Sequence, residues 1–310
     1  MSDPIKHPAA SASVAGSWLV LGAAVLWGTT GTAQAFAPAG YNSAAIGALR
    51  LLIGGVALLL LALKRKEIGS LADWNLRALL LAALFTSAYQ LCFFSAVAKT
   101  GVAVGTVVGI GSAPIAGGLL GLFFRGEKPG RRWLAATILA IAGCALLGFS
   151  GGEVAVDPLG ILLAIGAGAS YAAYTLMIKG LLDKHSPTAV MALVVCLGAL
   201  MLSPALLRID PDWIVQPRSL LVIVHLGLAT MALSYWLFAS GLRLVQVSRA
   251  VTLTLAEPMT AAVLGIFILG EVLNLQAFSG IFLIFAGLAV LMIRAPAAAS
   301  ASDEVACLEK

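Results

Sequence analysis

What most constrains this chain is a succession of apolar stretches, each about 20 residues long, the length a helix needs to cross a hydrocarbon core roughly 30 Å thick. They fall near residues 17–37, 43–63, 75–97, 102–124 and 132–150, and again near 158–181, 187–207, 218–240, 246–269 and 275–294. Charges are bunched between the runs instead of lining one face of each, so the runs read as spans and not as amphipathic surface helices. Composition agrees, with 61% of residues hydrophobic and 11% charged, where soluble domains carry about 25% charged residues. The expected fold class is an all-α integral membrane protein with ten transmembrane helices.

Sliding the sequence on itself by 144 residues pairs Pro114 with Pro258, Gly121 with Gly265, Phe123 with Phe267, and Gly126-Glu127 with Gly270-Glu271. The register continues without a gap through Leu139, Ala142, Gly143, Ala145 and Leu147, which meet Leu283, Ala286, Gly287, Ala289 and Leu291. Trp27 meets Tyr171 at the same offset. The chain therefore reads as a duplication, with a first five-helix repeat over 17–150 and a second over 157–294. Five spans are an odd number, so joining two such units end to end turns the second over, giving inverted repeats. The mate in mid-chain, and a length beyond that of an h-region, argue against reading the first span as a signal peptide. Residues 1–16 and 295–310, rich in Ala, Ser and Pro, are expected to be disordered tails. Placing both tails in the cytoplasm leaves only Arg50, Lys99, Arg208 and Arg218 among the basic residues for the outer half, as the positive-inside rule requires.

The doubled pattern, Pro114 to Gly126-Glu127 and Glu257-Pro258 to Gly270-Glu271, together with Trp27-Gly28 in the first span, resembles the EamA repeat of the drug/metabolite transporter superfamily. The resemblance covers nearly everything between the tails. Taken whole, the chain is most similar to bacterial inner-membrane exporters of aromatic amino acids. The resemblance implies a central cavity lined by the first, third, fourth, sixth, eighth and ninth spans. Arg50 matches a basic residue usual early in the family's second span, whereas Val194 stands at the equivalent place in the second half.

Several residues carry the chemistry such a cavity needs. Glu257 lies within the ninth span, where an ionisable group costs about 2.5–3.5 kcal/mol to insert and calls for a compensating reason; proton coupling and a structural role beside Pro258 are both open. Arg50, early in the second span, either snorkels or pairs structurally, or offers a substrate carboxylate two parallel hydrogen bonds. Pro114 and Pro258 each remove a backbone donor within a span; such helix breaks mark a midplane site or serve packing alone. Trp27, Tyr89, Phe93, Tyr171, Tyr174, Tyr235 and Trp236 are the expected substrate-binding set, with Phe85, Tyr89 and Phe93 on one helix face. Rings offer stacking and cation–π contacts, although single aromatics facing lipid are ordinary. Gly101, Gly105, Gly109, Gly117 and Gly121 form a small-residue seam suited to close helix contact.

Other functions lose ground. Cys92, Cys144, Cys196 and Cys307 show no metal-ligand spacing, and neither a metal nor a cofactor is expected. His225 stands alone within the eighth span, which favours a structural role. Gly121 to Lys128 brushes the phosphate-loop pattern, but Glu127 occupies the lysine position and no strand precedes it. Basic residues confined to short loops point to membrane topology and not to nucleic acid. With no nucleophile and base at depth, the chain is not expected to be an enzyme. The expectation is a secondary transporter that exports amino acids, aromatic and other neutral ones, or related small metabolites by alternating access. It is expected to act as a monomer in the bacterial inner membrane, its partners being the lipid bilayer and a small-molecule substrate. The alternative is a membrane protein with a structural or assembly role.

Overall fold

The computed structural model describes residues 10–38, 43–148, 157–204, 213–214, 216–270 and 274–292. Among these the regular structure is helical. In order the helices are α1 (Ala10–Ala35), α2 (Ser43–Lys64), α3 (Leu76–Arg125), α4 (Arg131–Gly148), α5 (Pro158–Leu181), α6 (Pro187–Leu202), α7 (Pro217–Gly227), α8 (Ser234–Leu242), α9 (Val247–Leu253), α10 (Ala256–Leu269) and α11 (Leu275–Met292). A 3₁₀ turn, Leu71–Asp73, precedes α3, and a π-helical turn, Leu228–Leu233, joins α7 to α8.

Among the described residues eight stretches are long and apolar enough to cross a membrane: Ser11–Ala35, Ile46–Lys64, Leu76–Val97, Gly105–Arg125, Pro158–Leu181, Pro217–Leu242, Val247–Leu269 and Leu275–Met292. The helix Pro187–Leu202 is apolar but shorter. The protein turns large apolar side chains outward, with Phe123 74%, Leu221 73%, Phe267 82% and Leu275 85% exposed. Such a surface suits hydrocarbon as solvent and would aggregate in water. This is a multi-pass membrane protein.

Helix α3 supplies two of these stretches because its trace doubles back. A Cβ placed on Gly105 would lie 3.0 Å from the Val97 Cα, although eight residues of straight helix would separate them by roughly 12 Å. Gly109 likewise faces the Phe93 ring, where a Cβ would come within 3.5 Å. Gly105 and Gly109 of the glycine seam thus close the hairpin, while Gly117 seats Val251 of α9.

The two halves meet through matched contacts. A Cβ on Gly143 of α4 would press on the Gly280 carbonyl and on Ile284 of α11, and one on Gly287 of α11 would press on the Ala136 carbonyl and on Ala140 of α4. Each contact is the other's image under the 144-residue offset. As the residue number rises along α4 it falls along α11, so these two helices run antiparallel. The helix ends match as well: Gly126 (φ 61°) and Gly270 (φ 72°) are both left-handed C-caps, and their N–H groups donate to the Gly121 and Gly265 carbonyls. Positive φ is available to glycine at little steric cost, which accounts for its recurrence at both ends.

Differences from the expected boundaries have local causes. Helix α1 begins at Ala10, within the stretch expected to be a disordered tail. The Ala-rich start favours helix, and Gly16 packs against the Gly241 carbonyl and Leu244, anchoring this end. The C-terminal tail and Glu271 lie outside the described residues.

Candidate functional site

One cavity of about 140 Å³ collects most of the residues singled out from sequence: Trp27, Arg50, Tyr89, Phe93, Tyr171, Tyr174, Tyr235 and Glu257 all line it. Its volume is about ten times that needed for one water, enough for a small metabolite. Thr30 and Gln34 of α1, Ile46 and Gly47 of α2, and Gln90 of α3 complete the wall. A smaller void of about 20 Å³ continues from it, bounded by Tyr89, Tyr171 and Glu257 with Gly109, Ile110, Ala113 and Thr254.

The wall is built from helix periodicity and close backbone approach. Trp27, Thr30 and Gln34 recur at three- and four-residue intervals and so share one face of α1. Gly28 turns to α10, where a Cβ would lie 2.8 Å from the Glu257 carbonyl and 2.5 Å from the Thr260 Cβ. The Trp27-Gly28 pair therefore sets a ring into the wall and brings the Glu257 backbone up beside it. Tyr235 is the second residue after the π-helical turn. Such a turn accommodates an extra residue and rotates the face presented by everything after it.

The rings form a connected set. Trp27 meets Tyr235 edge-on with centroids 5.2 Å apart and lies 5.4 Å from Phe238. Tyr89 stacks on Phe93 at 5.8 Å, and Tyr171 meets Tyr174 edge-on at 4.9 Å. Tyr89 joins the two groups, 5.7 Å from Tyr171 and 6.2 Å from Tyr174. The Tyr171 hydroxyl donates to Thr254 Oγ1 at 3.2 Å, fixing the ring against the start of α10.

Glu257 reaches the cavity through a helix break. Helix α9 ends at Leu253 and α10 begins at Ala256. Pro258 has no N–H with which to continue the ladder to the Thr254 carbonyl, so Glu257 N–H donates there instead, at 2.9 Å. The carboxylate thus stands in the first turn of α10, where the helix dipole favours negative charge. The two prolines are not equivalent, because α3 continues through Pro114. Neither proline lines the cavity.

Arg50 and Glu257 line the same space without an ion pair; among the described residues the pairs within 4.0 Å are Arg65–Glu67, Lys99–Asp157 and Arg125–Asp183. Arg50 Nε and Gln90 Nε2 are buried without a hydrogen-bond partner. The second span thus joins those expected around the cavity, and the fourth contributes only at the smaller void.

Other candidates lie elsewhere. Trp236 is half-buried against the core, and Phe85 also packs there. The Nε2 of His225 and the hydroxyl of Thr29 share a hydrogen bond at 2.9 Å, at the edge of a separate groove with Phe36 and Arg218. Among the described residues no group of three His, Cys, Asp or Glu is placed to hold a metal. Sequence reasoning passed over Thr30, Gln34 and Gln90. A signal existed for the first two, polar residues on the Trp27 face of an apolar helix; Gln90 was an amide beside Tyr89 in an otherwise apolar run.

The end of the bundle bearing the basic loops is closed by bonds between elements. Glu127 accepts hydrogen bonds from the Val247 and Ser248 N–H groups at 2.8 and 3.2 Å and from the Ser248 hydroxyl at 3.1 Å, capping α9. Its carboxylate folds back over Gly121, where a Cβ would collide with it. Lys179 Nζ donates to the carbonyls of Leu242, Arg243 and Val245. Ser186 donates to Glu67 at 2.7 Å, and Trp74 stacks on His185 at 3.7 Å.

Comparison with known proteins agrees with this architecture. The model of the EamA-like transporter family matches twice, over residues 14–149 and 158–293. The uncharacterized transporter YwfM of Bacillus subtilis is 46% identical over 275 residues, covering 89% of this chain and 93% of the relative. The uncharacterized inner membrane transporter YicL of Salmonella typhimurium is 25% identical over 282 residues, covering 88% of this chain and 94% of the relative. A solved crystal structure superposes with a TM-score of 0.77 at 20% identity, covering 95% of this chain and 99% of the other, a likeness of fold. With two matched repeats around one ring-lined cavity, the chain belongs to the EamA-like transporter family.

Proposed function

We propose that this protein is a secondary transporter that exports amino acids, aromatic and other neutral ones, or related small metabolites by alternating access. The observation that carries this reading is the convergence of a connected aromatic wall, a guanidinium and a carboxylate on one cavity of about 140 Å³. Rings suit an apolar or aromatic side chain. Arg50 and Glu257 offer opposite charges to a zwitterion.

Ten spans arranged as two inverted five-helix repeats are part of the proposal. The antiparallel, mutually imaged contacts of Gly143 and Gly287 support it, since a pseudo-two-fold axis relating antiparallel helices lies across them. The grouping of basic loops at one end supports a bacterial inner-membrane location with both termini cytoplasmic. The bonds closing that end then describe a state shut toward the cytoplasm. Exchange of sides breaks them and forms others opposite, and the chain acts as a monomer.

The test is flux of tryptophan, phenylalanine, threonine and methionine in proteoliposomes, with and without a proton gradient. Saturable flux above that of empty vesicles is the expected result; flux equal to empty vesicles for the whole panel overturns it. Gradient-driven flux that Glu257→Gln abolishes assigns coupling to that carboxyl, and flux indifferent to the gradient returns Glu257 to a structural role.

A further inference from the structure

We infer that Gln90, which no sequence pattern singled out, acts with Arg50 to read a carboxylate on the substrate. The inference rests on the transport reading for its biological setting but not for its evidence. Among the described residues four buried side-chain polar atoms lack a hydrogen-bond partner, Arg50 Nε, Gln90 Nε2, Ser219 Oγ and Arg249 Nε, and the first two belong to residues lining this cavity. Gln90 is 5% exposed, so its amide is held within the protein wall and not in bulk water. A buried donor without an acceptor is costly, and a ligand that brings the acceptor recovers that cost on binding. Both unpartnered atoms are donors and so call for an acceptor; beside the Arg50 cation a carboxylate answers best, offering two oxygens to a guanidinium and an amide.

This changes which substrates the cavity favours. An aromatic wall with Glu257 alone would suit an amine, since rings and a carboxylate both attract cations. Arg50 carries a positive charge that Glu257 does not neutralise by direct pairing, and Gln90 adds a neutral donor next in sequence to Tyr89 of the ring wall. A compound with a carboxylate close to an aromatic or apolar side chain satisfies all three. An amine lacking the carboxylate leaves Arg50 and Gln90 unanswered and places a second cation beside a guanidinium.

The experiment measures binding to the purified full chain in detergent, using phenylalanine, its deaminated counterpart 3-phenylpropionate and its decarboxylated counterpart phenethylamine. Phenylalanine and 3-phenylpropionate should bind, and phenethylamine at least about tenfold more weakly. Gln90→Leu should weaken the two carboxylates roughly tenfold and leave phenethylamine unchanged. Gln90→Asn, which keeps the amide on a shorter stem, serves the same comparison if Gln90→Leu fails to give monodisperse protein. Phenethylamine binding as well as phenylalanine, neither carboxylate binding, or carboxylate affinity unmoved in a folded variant each overturns the inference. Flux measured after the same preparations are reconstituted into proteoliposomes separates the two proposals. Carboxylate-selective binding without transport would sink the transporter reading and leave this site standing.

Discussion

Trp27 and Gly28 are adjacent in sequence, point about 100° apart on α1 and serve different contacts. Trp27 contributes a ring to the cavity, and Gly28 admits the α10 backbone, where a Cβ would lie 2.5 Å from the Thr260 Cβ. Gly28→Val should therefore push α10 away and destabilise the protein by about 1–3 kcal/mol, read as a lowered unfolding temperature in detergent. Trp27 and Tyr171 are nearly buried, 6% and 8% exposed, so their truncation to Ala confounds binding with packing. Tyr89 is half-buried and stands on the cavity side. Tyr89→Ala should leave the unfolding temperature near that of the wild type and raise the KM for phenylalanine severalfold; unfolding with no folded protein recovered would assign Tyr89 to the core instead. Much of this site was legible in the sequence, because an aromatic or ionisable residue in an apolar run stands out by its chemistry. Trp236 stood out for the same reason and packs against the core, since its neighbour Tyr235 takes the cavity side.

At the scale of elements, the doubled Gly-Glu pattern has a physical explanation in its first copy. Gly121 leaves room for the Glu127 carboxylate, Gly126 takes the left-handed turn, and Glu127 caps α9 from the other half of the chain. Glu127→Ala removes three hydrogen bonds to a buried carboxylate and should cost about 2–3 kcal/mol, seen in thermal unfolding; Glu127→Gln should recover part of it. A second cap answers to pH. Asp157 accepts from the Gly160 N–H at 2.9 Å and lies 3.8 Å from Lys99, and both hold its carboxyl below the ordinary range, the backbone bond foremost. A carboxyl lowered on folding stabilises above its unfolded pKa and loses that contribution as pH falls through its folded value. The difference in unfolding temperature between the wild type and Asp157→Asn should hold steady at neutral pH and shrink below about pH 4. The α3 hairpin folds back between Val97 and Gly105, where the expected third and fourth spans part. The π-helical turn at Leu228–Leu233 was not readable in advance, because apolar periodicity gives span lengths and says little about where a backbone bulges.

For the whole molecule, bonds between Glu67 and Ser186, Glu127 and α9, and Lys179 and the end of α8 tie the basic end shut. If transport requires this end to open, Glu67→Cys combined with Ser186→Cys in a background without other cysteines should lose flux on oxidation and regain it with reductant. Unchanged flux in the crosslinked protein would show that the contact need not separate. Topology is tested with a membrane-impermeant maleimide: a cysteine at Lys128 should label only after permeabilisation, and one at Gln216 from outside intact cells.

The sequence by itself determined the solvent, most of the span pattern, the duplication and most of the aromatic and charged residues of the cavity. Each follows from local properties: length, hydropathy and matches at a fixed offset. Only the tertiary structure decided that Trp27, Arg50, Tyr89, Tyr171 and Glu257 share one space, that Gln90 joins them, and that Pro114 and Pro258 differ in effect. These depend on how helices distant in sequence approach one another. The approach is governed by close backbone contacts such as Gly28 on α10 and Gly143 on α11, whose partners a single sequence does not name.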